Sequence, residues 1–271
     1  VAARRAGLSY LLTAAPLLLG LIFTLLALRS LPGGNIIDPD AARHALNGAF
    51  IRDLAASGEL TNPIAFGKRY YSHYPALSMP YHPPLFPAIE AAFYAVGGVN
   101  LTAARIAVAL AAGLSAILLY GLILSRYGSH ALAFLSTFVF MSWRWSQHVA
   151  NDVMLEFPAL VLVLASLYFI GEPVDSRRLY IFAALAGAAV WTKQNALFLS
   201  LVPFAYVLFR RDWPALRRKT IWLAAALFGA AVAAFASLTA LFGWTGLAQA
   251  SSGRTIAEIL LENPVYYTRV L

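Results

Sequence analysis

Long apolar runs alternate with short polar segments along most of this chain. The runs 8–28, 106–125 and 221–243 are almost free of charged residues. Each holds about twenty residues or more, enough for a helix that crosses a hydrocarbon layer roughly 30 Å thick. The runs 131–150 and 153–170 are nearly as long and predict two further spans. The pattern therefore predicts an all-α, polytopic transmembrane helix bundle.

Three other apolar runs are too short for this. The run 85–96 forms about 20 Å of helix and contains Glu90, so we predict an interfacial or re-entrant helix. The runs 179–192 and 195–209 meet at Lys193. Because neither is long enough to carry Lys193 well beyond the outer boundary, we expect its ammonium group inside the membrane or at its edge.

A long polar loop, residues 31–100, follows the first span. Within it, residues 41–54 place apolar side chains at helical spacing, which predicts a helix along the membrane surface, and Ser57-Gly58 ends it. A second polar segment, residues 143–152, is predicted on the same side. We interpret residues 1–271 as one module and as a fragment of a longer chain. Its parts are the external loop 31–100, the remaining spans within 101–243, and an external tail 244–271 with a short amphipathic helix at 255–261.

Charge sets the expected orientation. The net charge is +8, and much of it lies in basic clusters beside apolar runs, such as Arg4-Arg5 and Arg217-Arg218-Lys219. Such clusters mark cytoplasmic ends, which argues against nucleic-acid binding. We therefore predict a multi-pass protein of a bacterial inner membrane, with a cytoplasmic N-terminus and a periplasmic active site. The chain has no Cys, which excludes thiolate ligands and nucleophiles.

Acidic residues near the outer face are the candidates for catalysis. Asp38 and Asp40 flank Pro39 just after the first span, and a carboxylate held there can act as a general base. The alternative is that Asp40 only caps the surface helix. Asp152 and Glu156 are four residues apart and would share one face of a helix. Here the alternative is an N-cap followed by a first-turn acid. A divalent metal at Asp40 and Asp152 stays open.

Cationic and aromatic side chains could complete a binding site. Lys193, Arg144 and Arg105 could hold a phosphate or an anionic lipid headgroup, although arginines near span ends commonly reach back to water instead. A row of tyrosines leads to Tyr81 and His82 and could line a sugar or lipid site, or form an interfacial belt. The other side chains that we assign to substrate binding are Asp38, Arg43, His44, His148 and Glu156.

The order of these motifs resembles the GT-C glycosyltransferases, in particular the dolichyl-phosphate-mannose protein mannosyltransferase and aminoarabinose (lipid A) transferase branch. Residues 39–45 are similar to the acidic motif that opens its first external loop, and residues 82–85 to its Lys-Pro-Pro-Leu turn. Residues 103–105 match the Ala-Ala-Arg start of the next span, Asp152 a later acid, and residues 192–193 a Thr-Lys pair. The resemblance covers roughly residues 8–209.

The resemblance implies a function. Asp40 would be the base that deprotonates an acceptor hydroxyl, and the donor would be a polyprenyl-phosphate sugar whose lipid lies among the helices. The acceptor would be a protein or a glycolipid, and membrane lipids would surround the spans. Two positions depart from the pattern: Ala41 stands where the family usually has Glu, and His82 where Lys is common. The alternative function is a transporter or lipid flippase that uses charges within the membrane.

Overall fold

The computed structural model describes residues 2–29, 36, 38–170 and 176–241, with side chains from residue 14 onward except that of Ser176. The described residues form helices and no strand, as the apolar pattern predicts. Two short 3-10 helices cover Gln194–Leu201 and Trp213–Arg217. The α-helices are α1 (Ala2–Leu28), α2 (Pro39–Ser57), α3 (Pro63–His73), α4 (Leu85–Gly97), α5 (Leu101–Tyr127), α6 (His130–Ser142), α7 (Arg144–Ala150), α8 (Glu156–Phe169), α9 (Ser176–Thr192), α10 (Val202–Arg210) and α11 (Lys219–Leu241).

Two of the described helices, α5 and α11, are long and apolar enough to cross a membrane. They differ in their surroundings. Helix α5 is central and packs against α1, α4, α6 and α8, whereas α11 packs mainly on α9. Much of the surface of α11 is apolar and exposed, including Trp222, Leu223 and Leu227. Such a surface fits a helix whose outer side faces lipid.

The helices α1 and α5 approach each other very closely. A Cβ atom added at Gly113 would lie 2.6 Å from the backbone oxygen of Gly20 and 2.0 Å from Thr24 Oγ1. Only glycine leaves room for this contact. Next to this contact, the Phe23 ring packs edge-on against the Phe157 ring with their centres 5.3 Å apart, which joins α1 to α8. These contacts fix the frame that carries the polar loop.

The run 131–150, predicted as one span, is two helices. Helix α6 has 13 residues and ends at Trp143, whose backbone is extended (φ −66°, ψ 130°), and α7 has only 7 residues. Helix α8 begins at Glu156 rather than at Val153 and has 14 residues. At 1.5 Å per residue, α6 and α8 are each about 20 Å long. The prediction of uninterrupted helices over 131–150 and 153–170 is therefore wrong for residues 143–155, where the chain forms the short helix α7 and a turn instead.

The loop after α1 folds onto that end of the bundle. The predicted surface helix exists as α2, which ends at Gly58 with φ 75°, a left-handed conformation that suits glycine. The predicted short helix exists as α4. The two pack closely, and the hydroxyl of Tyr94 donates to the backbone oxygen of Ala45 at 3.1 Å. The predicted tail 244–271 lies outside the described residues.

The opposite end of the bundle is marked by a different set of contacts. Arg126, near the end of α5, donates to the backbone oxygen of Leu167 near the end of α8 at 2.9 Å. The Tyr120 hydroxyl lies 2.9 Å from Nδ1 of His130, at the start of α6. The end of α5, the start of α6 and the end of α8 therefore lie together, away from Asp152 and the starts of α5 and α8.

Candidate active site

The first turn of α2 presents a carboxylate. Asp38 is the N-cap, and its Oδ1 accepts the backbone N–H of Asp40 at 2.8 Å. The capping role considered for Asp40 is therefore wrong, since Asp38 fills it. Asp40 has a side chain that is 46% exposed, and Arg43 Nη1 donates to its Oδ1 at 2.8 Å. One turn of helix thus holds an accessible acid beside its own cation.

Asp152 is buried in the turn before α8. Its Oδ2 accepts the backbone N–H of Asp38 at 2.9 Å, and its Oδ1 accepts that of Val153 at 2.9 Å. Arg105 Nη2 lies 3.9 Å from the same Oδ1, and both side chains are almost fully buried, Asp152 at 1% exposure. Arg105 therefore does not extend to water, as arginines near span ends commonly do. It pairs with an acid instead.

Asp152 and Glu156 do not share a helical face. Helix α8 begins at Glu156 and has Leu155 as its N-cap residue, so Asp152 belongs to the preceding turn. Neither Asp152 nor Asn151 caps α8. The reason lies in the turn itself, where Val153 and Leu155 are buried and draw the chain into the core before the helix starts. The prediction of a shared face assumed a helix from Asp152 onward.

Glu156 forms a third ion pair at the same end. Lys193 Nζ donates to Glu156 Oε1 at 2.6 Å, and both side chains are partly exposed. Lys193 lies between α9 and the 3-10 helix and has an extended backbone (φ −150°, ψ 120°). The predicted junction at Lys193 is confirmed, but the second predicted helix, 195–209, is a 3-10 helix (Gln194–Leu201) followed by α10 (Val202–Arg210). Because the pair is accessible, its ammonium group can meet an anionic ligand.

Two histidines with lowered pKa values lie beside each other near these charges. The rings of His44 and His82 are 4.5 Å apart and nearly perpendicular. Burial lowers the pKa of His82 to about 4; Asp40 and Glu156 oppose this shift, and Lys193 and Arg43 add to it. Burial also lowers the pKa of His44 to about 3, helped by His82 and Lys193. These mutual effects place His82 within electrostatic reach of Asp40, Arg43, Glu156 and Lys193.

The remaining predicted residues are distributed unevenly. Tyr81 packs its ring 5.0 Å from His82 and is partly exposed, so it borders the site. Arg144 and His148 lie on α7, where the His148 ring packs 5.3 Å from Trp145. Among the described residues, neither forms a hydrogen bond or ion pair with the side chains around Asp40. Their role in substrate binding stays a prediction.

Three buried side chains support the site and have no role in the sequence-based assignment. Asn47 and Ser78 are fully buried and hydrogen-bond each other, with Asn47 Nδ2 donating to Ser78 Oγ at 2.9 Å. Their bond holds the segment that leads to His82 against α2. Asn47 follows Asp40 and His44 at positions i, i+4 and i+7, a helical spacing that could have identified it. Glu90 is the third, and in the described residues neither of its oxygens has a hydrogen-bond partner.

These residues form one site at one end of the bundle. It contains an exposed carboxylate at Asp40, an accessible cation at Lys193, and His82 within electrostatic reach of both. A carboxylate can accept a proton from a hydroxyl, and a cation can stabilise a departing anion. Among the described residues, no three His, Asp or Glu side chains are grouped so as to hold a metal ion. A divalent metal at Asp40 and Asp152 stays a prediction.

Comparison with known families identifies the class. A bundle of apolar helices with an acid, a histidine and a lysine at one end fits a transferase embedded in a membrane. The model of the family "Dolichyl-phosphate-mannose-protein mannosyltransferase" matches residues 81–238, more than half of the chain. The chain therefore belongs to the dolichyl-phosphate-mannose-protein mannosyltransferase family, which is of the GT-C type. Searches of curated proteins and of solved structures gave no match.

Family membership settles the general function. The chain is a membrane glycosyltransferase of the mannosyltransferase type. The family implies, in general terms, a polyprenyl-phosphate-sugar donor and a glycosylation acceptor. The match includes His82, Asp152, Glu156 and Lys193 but begins after Asp40. This favours the enzyme over the transporter or flippase that the intramembrane charges also allowed.

Proposed function

We propose that this protein transfers one sugar from a polyprenyl-phosphate donor to a hydroxyl or phosphate of a protein, lipid or glycan acceptor, with Asp40 as the general base. The observation that carries the proposal is that His82 lies within electrostatic reach of both the Asp40–Arg43 pair and the Glu156–Lys193 pair. One group can accept a proton while the other receives the negative charge that leaves the sugar.

For a hydroxyl acceptor the reaction is a single displacement. Asp40 takes the proton of the acceptor hydroxyl as its oxygen forms a bond to the anomeric carbon of the sugar. The bond from that carbon to the phosphate oxygen breaks, and the polyprenyl phosphate leaves with the electron pair. Because attack and departure occur on opposite faces of the sugar, the anomeric configuration inverts. Arg43, 2.8 Å from Asp40, orients the carboxylate before the reaction.

Lys193 is the cation that we assign to the departing phosphate. In the free enzyme Glu156 holds it at 2.6 Å, so its charge is already balanced and positioned before the donor binds. A phosphate that approaches Lys193 adds negative charge next to Glu156, and the ammonium group then bridges two anions. A fixed cation beside the leaving oxygen stabilises charge that grows only as the sugar–phosphate bond breaks.

His82 and Tyr81 form the wall that we assign to the sugar, with His44 buried behind His82. The lowered pKa values of His82 and His44 mean that both rings are neutral at ordinary pH, so His82 can exchange hydrogen bonds with sugar hydroxyls without adding charge. The partly exposed Tyr81 ring offers an apolar face for stacking. Asp38 lies further back and caps α2, and we assign Arg144 and His148 to the outer rim.

The proposed orientation follows from charge and lipid. The donor's polyprenyl chain lies among the spans, so its sugar emerges at a membrane surface, where the loop that carries Asp40 meets the bundle. Basic clusters such as Arg210-Arg211 flank the apolar helices away from that loop, which supports a cytoplasmic N-terminus and a site on the periplasmic side of a bacterial inner membrane. Membrane lipids would surround α5 and α11.

Transfer from a labelled polyprenyl-phosphate sugar in detergent tests the proposal. We expect Asp40→Asn to lower kcat by about 10²- to 10⁴-fold, because the amide cannot accept the proton. Asp53→Asn is the matched control, since Asp53 lies on the same helix but pairs with Arg52 and Tyr70 instead. Lys193→Gln should also lower kcat. Equal rates for wild type and Asp40→Asn, or no transfer by the full-length wild-type protein, would overturn the proposal.

A further inference from the structure

Asp38 connects the two acids that sequence analysis singles out. Its backbone N–H donates to Asp152 Oδ2 at 2.9 Å, and its own carboxylate accepts the backbone N–H of Asp40 at 2.8 Å. The first contact fixes where the chain enters α2, and the second fixes how the first turn begins. The position of the Asp40 carboxylate therefore depends, through Asp38, on the position of Asp152.

Asp152 is itself held from three sides. It lies in the turn before α8, it accepts the N–H of Val153, and Arg105 of α5 lies 3.9 Å from its Oδ1. Both side chains are almost fully buried. Such a pair is a rigid anchor, because removal of one partner leaves a buried charge without compensation. The anchor ties the start of α2 to the starts of α5 and α8.

The environment of Asp152 differs from that of Asp40 in a way that separates their roles. A base must meet the acceptor and take a proton. The Asp40 carboxylate is 46% exposed, whereas that of Asp152 is 1% exposed and already accepts two backbone N–H groups beside an arginine. The acceptor can reach the first and not the second.

We propose that Asp152 is a positioning residue that acts through the Asp38 backbone, and that the Arg105–Asp152 pair sets the direction of the Asp40 carboxylate. This inference rests on the proposed function, in which Asp40 is the base. It assigns Asp152 a role other than acid–base chemistry or metal binding. Misplacement of a catalytic group by about 1 Å can lower the rate about 10²-fold, so loss of this anchor can slow the reaction although Asp152 does not touch the substrate.

A label that reports on α2 tests the inference without any substrate. The chain has no Cys, so Ala42→Cys carries a single spin label on an exposed position in the first turns of α2. Ala56→Cys, exposed near the other end of α2, is the matched control. We expect Asp152→Asn to increase the mobility of the label at residue 42 and to leave that at residue 56 unchanged. Equal mobility at residue 42 with and without Asp152→Asn would overturn the inference.

Kinetics provide the second readout. A positioning role predicts that Asp152→Asn lowers kcat by about 10- to 100-fold. It also predicts that the pH profile of the remaining activity keeps its acid limb, because the base, Asp40, is unchanged. Loss of that limb would show that Asp152 is itself the base. If Asp152→Asn does not fold, Arg105→Lys keeps the charge but loses the planar group, and should loosen the label at residue 42 to a smaller extent.

The two proposals fail in different ways. If Asp40→Asn is fully active, Asp40 is not the base and the proposed function falls, whatever the label shows. If Asp40→Asn is inactive but Asp152→Asn abolishes the acid limb or leaves the label rigid, only the positioning role falls. A double variant adds a check: Asp40→Asn combined with Asp152→Asn should be no slower than Asp40→Asn alone, since positioning an absent base has no effect.

Discussion

Replacing Glu90 by Gln should make the protein more stable at neutral pH. Glu90 lies on α4, is 0% exposed, and packs against α2, where an added Cβ at Gly48 would lie 2.7 Å from its own Cβ. Neither carboxyl oxygen has a hydrogen-bond partner among the described residues. Burial raises the pKa of Glu90 well above 4.5. On the same helix, Glu90 contributes to a raised pKa of the Tyr94 hydroxyl. Burial therefore favours the protonated form of Glu90 in the folded protein.

The magnitude follows from proton linkage. Above pH 4.5 the unfolded chain releases the Glu90 proton, whereas the folded protein keeps it until its own, higher pKa. The unfolded state thus binds fewer protons, and the free energy of unfolding falls by about 1.4 kcal/mol for each pH unit in that window. Glu90→Gln cannot ionise in either state and avoids this loss. For a chain of this size, each unit corresponds to a difference of about 3–6 °C in Tm.

Thermal unfolding in detergent at pH 5, 6 and 7 measures the effect. The difference in Tm between Glu90→Gln and wild type should grow with pH, and contributions from the histidines cancel because both proteins carry them. Glu59→Gln is the control: Glu59 is an exposed acid paired with Arg69, so its replacement should change Tm little at any pH. A constant or negative difference for Glu90→Gln would show that Glu90 is ionised when folded, and would refute the reasoning.

Two further predictions concern packing and acid stability. Gly113→Ala should cost about 1–3 kcal/mol by overpacking the contact with Gly20, whereas Gly121→Ala, in the same helix but with open space beside it, should stabilise by about 0.5–1 kcal/mol. Equal Tm values for the two variants would contradict the close approach of α1 and α5. As pH falls below 6.5, His44 takes up a proton in the unfolded chain, whereas in the folded protein its pKa is lowered to about 3. The free energy of unfolding therefore falls as pH falls toward 3. His44→Asn should flatten this loss in a thermal unfolding series, and an unchanged acid slope would contradict the neutral state of His44.

The helical class and the positions of most helices follow from the apolar pattern. The lengths of the apolar runs suffice to predict α5, α11 and the short helix α4. Lys193 is placed at a junction because two short apolar runs meet there. The break at Trp143 escaped prediction because residues 143–152 are polar enough for a loop and regular enough for a helix. The short α8 escaped it for a related reason, since Val153 and Leu155 are apolar and extend the run that α8 continues.

The partners within the site were harder to predict. Lys193 and Glu156 were both candidates, but their separation of 37 residues gives no local signal that they pair. Arg105 lies near the predicted start of a span, where arginines commonly extend to water. Its partner Asp152 lies in another segment, so the local sequence does not indicate the pair. The contact between Asp38 and Asp152 has no sequence signature at all, since its donor is a backbone N–H that every residue except proline carries.

That contact also dictates when the enzyme is completed. Asp38 and Asp152 are 114 residues apart, and ribosomes add about 5–20 residues per second, so Asp152 is made roughly 6–23 seconds after Asp38. During that interval the backbone N–H of Asp38 has no Asp152 carboxylate to bind. Under the roles proposed above, the Asp40 carboxylate would be oriented only after the ribosome has made the turn before α8.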